Sequence, residues 1–182
     1  MFVRGCRVAL ACALSALALA GCSSGDKPVA LPSLSQSPTA SPTPSPTNSA
    51  TELAAVSAVV RRYFALINGP STAAAADELI SIMTAPCKCR RVASSVRDAA
   101  SKGQTYFGKA TITSFVPSID GQAAADVLVD YDSTVSGLRD AHGRVLHRDP
   151  AMKDMSADFR LVRVGGVWRI DIVEIIRDGH PA

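Results

Sequence analysis

The chain has 182 residues, 47% of them hydrophobic and 19% charged, with 19 Lys plus Arg against 16 Asp plus Glu. That length admits one ordinary domain with a real core. Arg4 and Arg7 lie in a segment expected to be removed, leaving 17 basic against 16 acidic residues, a balance too even for a nucleic-acid-binding face.

Met1 to Arg7 is a short positive start, and Val8 to Ala20 is an unbroken run of 13 small or apolar residues. At about 1.5 Å per residue such a run is too short to span a bilayer and has the length of a signal-peptide core. Leu19-Ala20-Gly21-Cys22 follows and resembles the bacterial lipobox, in which the cysteine thiol takes a diacylglyceryl group. Residues 1–21 are therefore expected to be a lipoprotein signal peptide and Cys22 the palmitate-type lipidated N-terminus. Acyl chains that each bury methylenes at about 0.8 kcal/mol would then hold the chain to the extracytoplasmic face of the cell membrane. The alternative is an ordinary signal peptide cut near Ala20, with Cys22 incidental.

Residues 22–50 read as a linker. Ser23 to Thr51 holds 6 Pro, 8 Ser and 4 Thr, with little to bury, so disorder is expected. Extended at about 3.1 Å per residue, this stalk would reach up to about 90 Å. Ser and Thr interleaved with Pro also suit an O-glycosylated stalk, and a bare spacer fits equally.

A domain is expected over residues 51–178, with a tail at 179–182. Ser49-Ala50-Thr51-Glu52 is a capping-box pattern, and Leu53, Val56, Val60, Tyr63, Phe64 and Ile67 recur at helical spacing until Asn68-Gly69-Pro70 stops the run. Ser71 or Thr72 can cap a second helix carrying Leu79, Ile80 and Met83. A third is predicted from near Pro86 to Gly103, with Val92, Val96 and Ala99 on one face.

From Thr105 the period becomes two. Ala110–Val116 and Ala124–Val135 read as half-buried strands around a turn at Asp120-Gly121, and Met155–Val164 and Val167–Ile176 read as a hairpin closed by Gly165-Gly166. A two-residue turn there pairs residue i with residue 331 minus i. It places Phe159, Leu161, Trp168, Ile170 and Ile172 on the core face and Arg160 opposite Asp171 outside. Residues 136–152 between the pairs read as irregular, and 136–150 as a charged surface loop in which a binding function is the alternative.

Three helices followed by a meandering antiparallel sheet that ends in Val167-Trp168-Arg169-Ile170 resemble the nuclear-transport-factor-2-like superfamily, also called SnoaL-like. The likeness covers about residues 50–178. It implies an α+β fold: three N-terminal helices packed on a curved, four-stranded antiparallel sheet, cone-shaped. It is similar in particular to lipoproteins of high-GC Gram-positive bacteria with a stalk and closely spaced cysteines after the second helix. The superfamily includes isomerases, dehydratases and non-catalytic domains, so the fold does not choose among them.

Three features bear on chemistry. Cys87 and Cys89 read as a structural disulfide made possible by irregular chain after Pro86, with free thiols or a metal site as alternatives; no neighbouring ligand completes a metal set, and no metal or cofactor is expected. His142 and His147 are the histidines to test if metal were bound. Glu174 has the core parity of Trp168 and Ile170, so burial would raise its pKa and make it the one weak candidate for an acid or base, with Tyr63, Tyr131, Arg163 and Trp168 as pocket-lining candidates. The favoured function is a non-catalytic domain that binds a small apolar ligand or docks an envelope protein; the alternative is an isomerase- or dehydratase-type enzyme. A cavity plugged by Tyr63, Phe64 and Trp168 would favour docking.

Overall fold

The computed structural model describes residues 46–177 and 179–182, with side chains from Ser49 onward; the signal-peptide segment, Cys22 and the linker up to residue 45 lie outside the described residues. Helices α1 (Pro46–Ile67), α2 (Ala73–Ser81) and α3 (Arg90–Ser101) precede strands β1 (Thr105–Phe107), β2 (Ala110–Asp120), β3 (Ala124–Ser133), β4 (Ser136–Arg139), β5 (Val145–Asp149), β6 (Met152–Val164), β7 (Val167–Arg177) and β8 (His180–Pro181). Thr72 caps α2 as predicted, its hydroxyl accepting from the amide of Ala75 at 3.1 Å. The Ser49 box does not start α1, which reaches back to Pro46 into the segment read as linker; proline is tolerated in a first turn, where its missing N–H is not needed. The third helix starts at Arg90, after turns, rather than near Pro86.

The fold is α+β with antiparallel sheets, but the strand count differs from the expectation. The main sheet has five strands, in the order β2-β3-β6-β7 with β8 added on β6, and β1-β4-β5 form a second, three-stranded sheet. The segment read as a charged loop is thus largely a β-hairpin. All five residues of β5 are exposed, so no apolar alternation marks it. Asp140 builds its turn by accepting from the amides of His142 and Arg144 at 3.0 and 2.9 Å. Burial alone would raise the Asp140 pKa, but those amides and the Arg144 guanidinium hold it below the usual carboxylate value. Gly137 lets β4 and β5 meet there, because a Cβ at that position would collide with the carbonyl of His147.

Between α1 and the main sheet lies an aromatic core. Val56, Val60, Tyr63 and Phe64 share the buried face of α1 and meet Val127, Val129, Phe159 and Leu161 from the sheet. Tyr63 meets Phe159 edge-on at 5.3 Å between centroids, and Phe64 meets Tyr131 at 5.4 Å, contacts that add to area burial.

The closing hairpin keeps the predicted register only near its turn. Gly165 and Gly166 both have positive φ, 59° and 82°, and pairs from Val164–Val167 to Leu161–Ile170 follow the expected sum. Phe159, Leu161, Trp168 and Ile170 are all buried, as expected. A bulge then shifts the ladder by one, so Arg160 opposes Ile172 instead of Asp171. Ile172, predicted inside, is 40% exposed, and Val173 packs against the core in its place. The cause is tertiary: Ile170 donates to the carbonyl of Ile82 and accepts from the amide of Thr84, both at 2.9 Å, while the Thr84 hydroxyl donates to Asp171 Oδ1 at 2.6 Å.

Candidate functional site

The same bulge moves Glu174. It is exposed and opposes Asp158 on the outer face of the sheet, so the expectation of a core-facing acid or base at Glu174 is corrected. Its neighbour Asp158 has a raised pKa, first from burial, then from the charges of Asp126 and Glu174, against the lowering effect of Arg160.

The four other predicted pocket residues divide between two places. Tyr63 lines a cleft of about 480 Å³ where α1 ends. Tyr131 sits half-buried behind it, against Phe64. Arg163 and Trp168, cross-strand partners, line a separate groove near Glu52. In that groove Trp168 Nε1 donates to Glu52 Oε2 at 2.8 Å and Arg163 donates to Glu52 Oε1 at 3.0 Å. Glu52, Arg163 and Trp168 are thus committed to one another, and Glu52, read from sequence as half of a capping box, is a tertiary anchor.

The cleft is assembled by the stop signal of α1. The Asn68 amide clamps the start of β2, donating to the carbonyl of Ala110 and accepting from its amide, both at 2.8 Å. Ser71 Oγ accepts from the amide of Tyr106 at 2.9 Å, bringing β1 alongside. Leu66, Ile67, Val92, Val96 and Phe107 supply apolar walls, a proportion typical of small-molecule sites. Tyr63 is buried and its pKa is pushed up to about 12, first by burial and then by Tyr131, so its phenol stays protonated. Its hydroxyl has no hydrogen-bond partner among the described residues.

At the rim stand Arg91, Lys109, His147 and Asp149, with His147 Nε2 2.9 Å from Asp149 Oδ1. Sequence reading placed His147 and Asp149 in a loop and missed Arg91 and Lys109, whose neighbours are set by tertiary structure alone. Among the described residues no group of three His, Cys, Asp or Glu could hold a metal ion. The sulfurs of Cys87 and Cys89 lie in bonding contact, with Cα atoms 5.1 Å apart, in the turns before α3.

No protein-family model and no curated protein matches the sequence. Among solved structures, a protein of unknown function from Mycobacterium tuberculosis is similar at 18% identity and a TM-score of 0.50, covering 74% of this chain and 76% of its own. A putative scytalone dehydratase from Novosphingobium aromaticivorans is 12% identical, with a TM-score of 0.48 over 74% of this chain and 96% of that one. A protein from the same organism, described as nuclear-transport-factor-2-like with a cystatin-like fold, is 14% identical, with a TM-score of 0.42 over 72% and 89%. At such identities the likeness is one of fold alone, and the structure that carries it is the Mycobacterium tuberculosis protein.

Proposed function

We propose that the chain is a lipid-anchored, extracytoplasmic lipoprotein whose domain holds a small, largely apolar ligand in the cleft between α1, α3 and the three-stranded sheet, without transforming it. The observation that carries this reading is the cleft itself. It has apolar walls, the protonated phenol of Tyr63 as a free donor, and a volume of about 480 Å³, within the range of sites that enclose small ligands. The space beneath the sheet is filled by Tyr63, Phe64 and Phe159, yet the cleft opens beside that filling, which favours a ligand over an envelope protein as occupant. Among the described residues no helix is long and apolar enough to cross a membrane, so the anchor in this reading is the lipid on Cys22.

A second reading, an isomerase- or dehydratase-type enzyme, is favoured by one observation: the His147–Asp149 pair at the rim of the same cleft, a carboxylate-oriented imidazole of the kind that moves protons.

Pro42–Ala182 forms one compact unit that contains the whole core cluster, so it can be produced alone. Native mass spectrometry of this unit is expected to retain a small molecule that is lost in Val92→Trp, which fills the cleft. A bare protein that also shows no saturable binding in a thermal-shift screen of small apolar compounds would remove the ligand reading. Turnover of such a compound that His147→Ala abolishes would favour the enzyme.

A further inference from the structure

We infer that the ligand is an amphipathic anion, a single apolar body ending in a carboxylate or similar acid, with its head held at the cleft mouth by Arg91 and Lys109. This inference rests on the reading of the cleft as a binding site and adds the chemical class of what fills it.

Eight of the sixteen lysines and arginines among the described residues already have a carboxylate. Arg62 pairs with Glu78, Arg97 with Asp77, Lys153 with Asp132 and Arg177 with Asp130, among others. Arg91 and Lys109 have no such partner among the described residues, and both line the cleft. The single carboxylate lining it, Asp149, is engaged with His147. Two cations lining one cleft leave it positive at its exposed end, and an arginine together with a lysine offers a planar fork and a mobile point charge.

Depth and polarity are ordered along the cleft. Arg91 and Lys109 are exposed, whereas Tyr63, Leu66 and Val96 are buried. A ligand with one charged end can keep that end at the wet rim and bury the rest. A neutral apolar molecule would leave the two cations without a use, and a cation would be repelled by them. The volume of about 480 Å³ suits one chain or ring system, so the ligand is a soluble single-bodied amphiphile and not a two-chain lipid held in a bilayer.

The test is calorimetric titration of the Pro42–Ala182 unit with decanoate, decanol and decyltrimethylammonium, which share an apolar body and differ in head charge, alongside co-sedimentation with phosphatidylglycerol vesicles. Decanoate is expected to bind one to one and about tenfold or more tighter than decanol. That preference should vanish in Arg91→Ala/Lys109→Ala, the loss expected for charge-assisted hydrogen bonds, while the double variant binds decanol as the parent does. If decanol and decanoate bind equally and the double variant changes nothing, the charge inference is overturned while the apolar cleft survives. If none of the three binds, the cleft reading fails and this inference with it. Binding to vesicles without binding of decanoate overturns it in favour of a membrane surface.

Discussion

Trp168 donates its indole N–H to Glu52 at 2.8 Å, and Arg163, its partner across the closing hairpin, reaches the other oxygen of the same carboxylate at 3.0 Å. One side chain near the start of α1 thus fastens the last hairpin of the main sheet. Trp168 is 5% exposed, and removing Glu52 takes away the carboxylate that its N–H and Arg163 share. Glu52→Ala is expected to lower the denaturant midpoint, read by the fluorescence of Trp168, the single tryptophan of the chain. The Trp168 hydrogen bond and then Arg163 lower the Glu52 pKa below 4.5 despite the opposing effect of burial. A depressed folded-state pKa means that the stabilisation is complete above the ordinary value and is lost as pH falls through the folded one. Glu52→Gln keeps an acceptor and should flatten this acid limb; an unchanged limb would clear Glu52 of responsibility for it.

Tyr63 sets the opposite limb. Its pKa rises from 10.0 to about 12 on folding, chiefly through burial. A raised folded-state value stabilises the fold fully below pH 10 and ceases to do so as pH climbs through 12. The loss is on the order of 2 to 3 kcal/mol. Tyr63→Phe keeps the edge-on contact with Phe159 and removes the titrating group. Its stability should vary less across this window than the parent's, with tyrosinate absorbance reporting ionisation in parallel.

The Thr84–Asp171 hydrogen bond is the device that holds the bulge in β7. Thr84→Val, nearly equal in shape, should cost about 1.5 to 3 kcal/mol, the range for a hydrogen bond to a charged acceptor. Thr84→Ser should recover most of it. Equal stabilities of Thr84→Val and the parent in urea would show that the bulge is held by the backbone bonds of Ile170 alone.

This bulge also marks where reading from sequence stops. The Gly165-Gly166 turn, the pairs up to Leu161–Ile170 and the cap at Thr72 are written in local residue types, and each could be read there. The shift after Ile170 is imposed by Ile82 to Thr84, far away in the chain, and strand alternation carries no trace of it; Glu174 and Ile172 therefore turn outward. β5 escaped for a different reason: a strand exposed on all five residues has no apolar period. Of the cleft, Tyr63 was visible as an aromatic on a helical stripe. Arg91 and Lys109 stand out in the proposed site because no carboxylate among the described residues pairs with them, which is a property of the folded neighbourhood and not of the residues.

Cys87 is 4% exposed within the core cluster, and Cys89 lies at the start of α3. A bond between them would close a very short loop, and the entropic effect of so short a loop is modest, about 1 to 2 kcal/mol. Mass measurement of the unit made in an oxidising compartment should give a value two hydrogens lighter than after reduction. The double variant Cys87→Ala/Cys89→Ala should remain folded, with its unfolding free energy lowered by about that amount. Alkylation of both cysteines in the unreduced protein would show free thiols instead.

Anchoring by Cys22 makes a prediction that does not depend on the cleft. The run from Val8 to Ala20 ends at Gly21-Cys22, and in the lipoprotein reading only the thiol of Cys22 can accept the lipid. In a bacterial host with lipoprotein processing, the chain should take up a palmitate analogue and sediment with membranes. Cys22→Ala should abolish the label. It should also block the cut that requires a lipidated cysteine, so that the chain migrates as the longer precursor. An ordinary signal peptide predicts the reverse: Cys22→Ala would be cut normally and appear unlabelled in the soluble exported fraction, just as the parent would. Because the two readings differ in label, length and fraction together, one pulse-labelling experiment on parent and variant separates them.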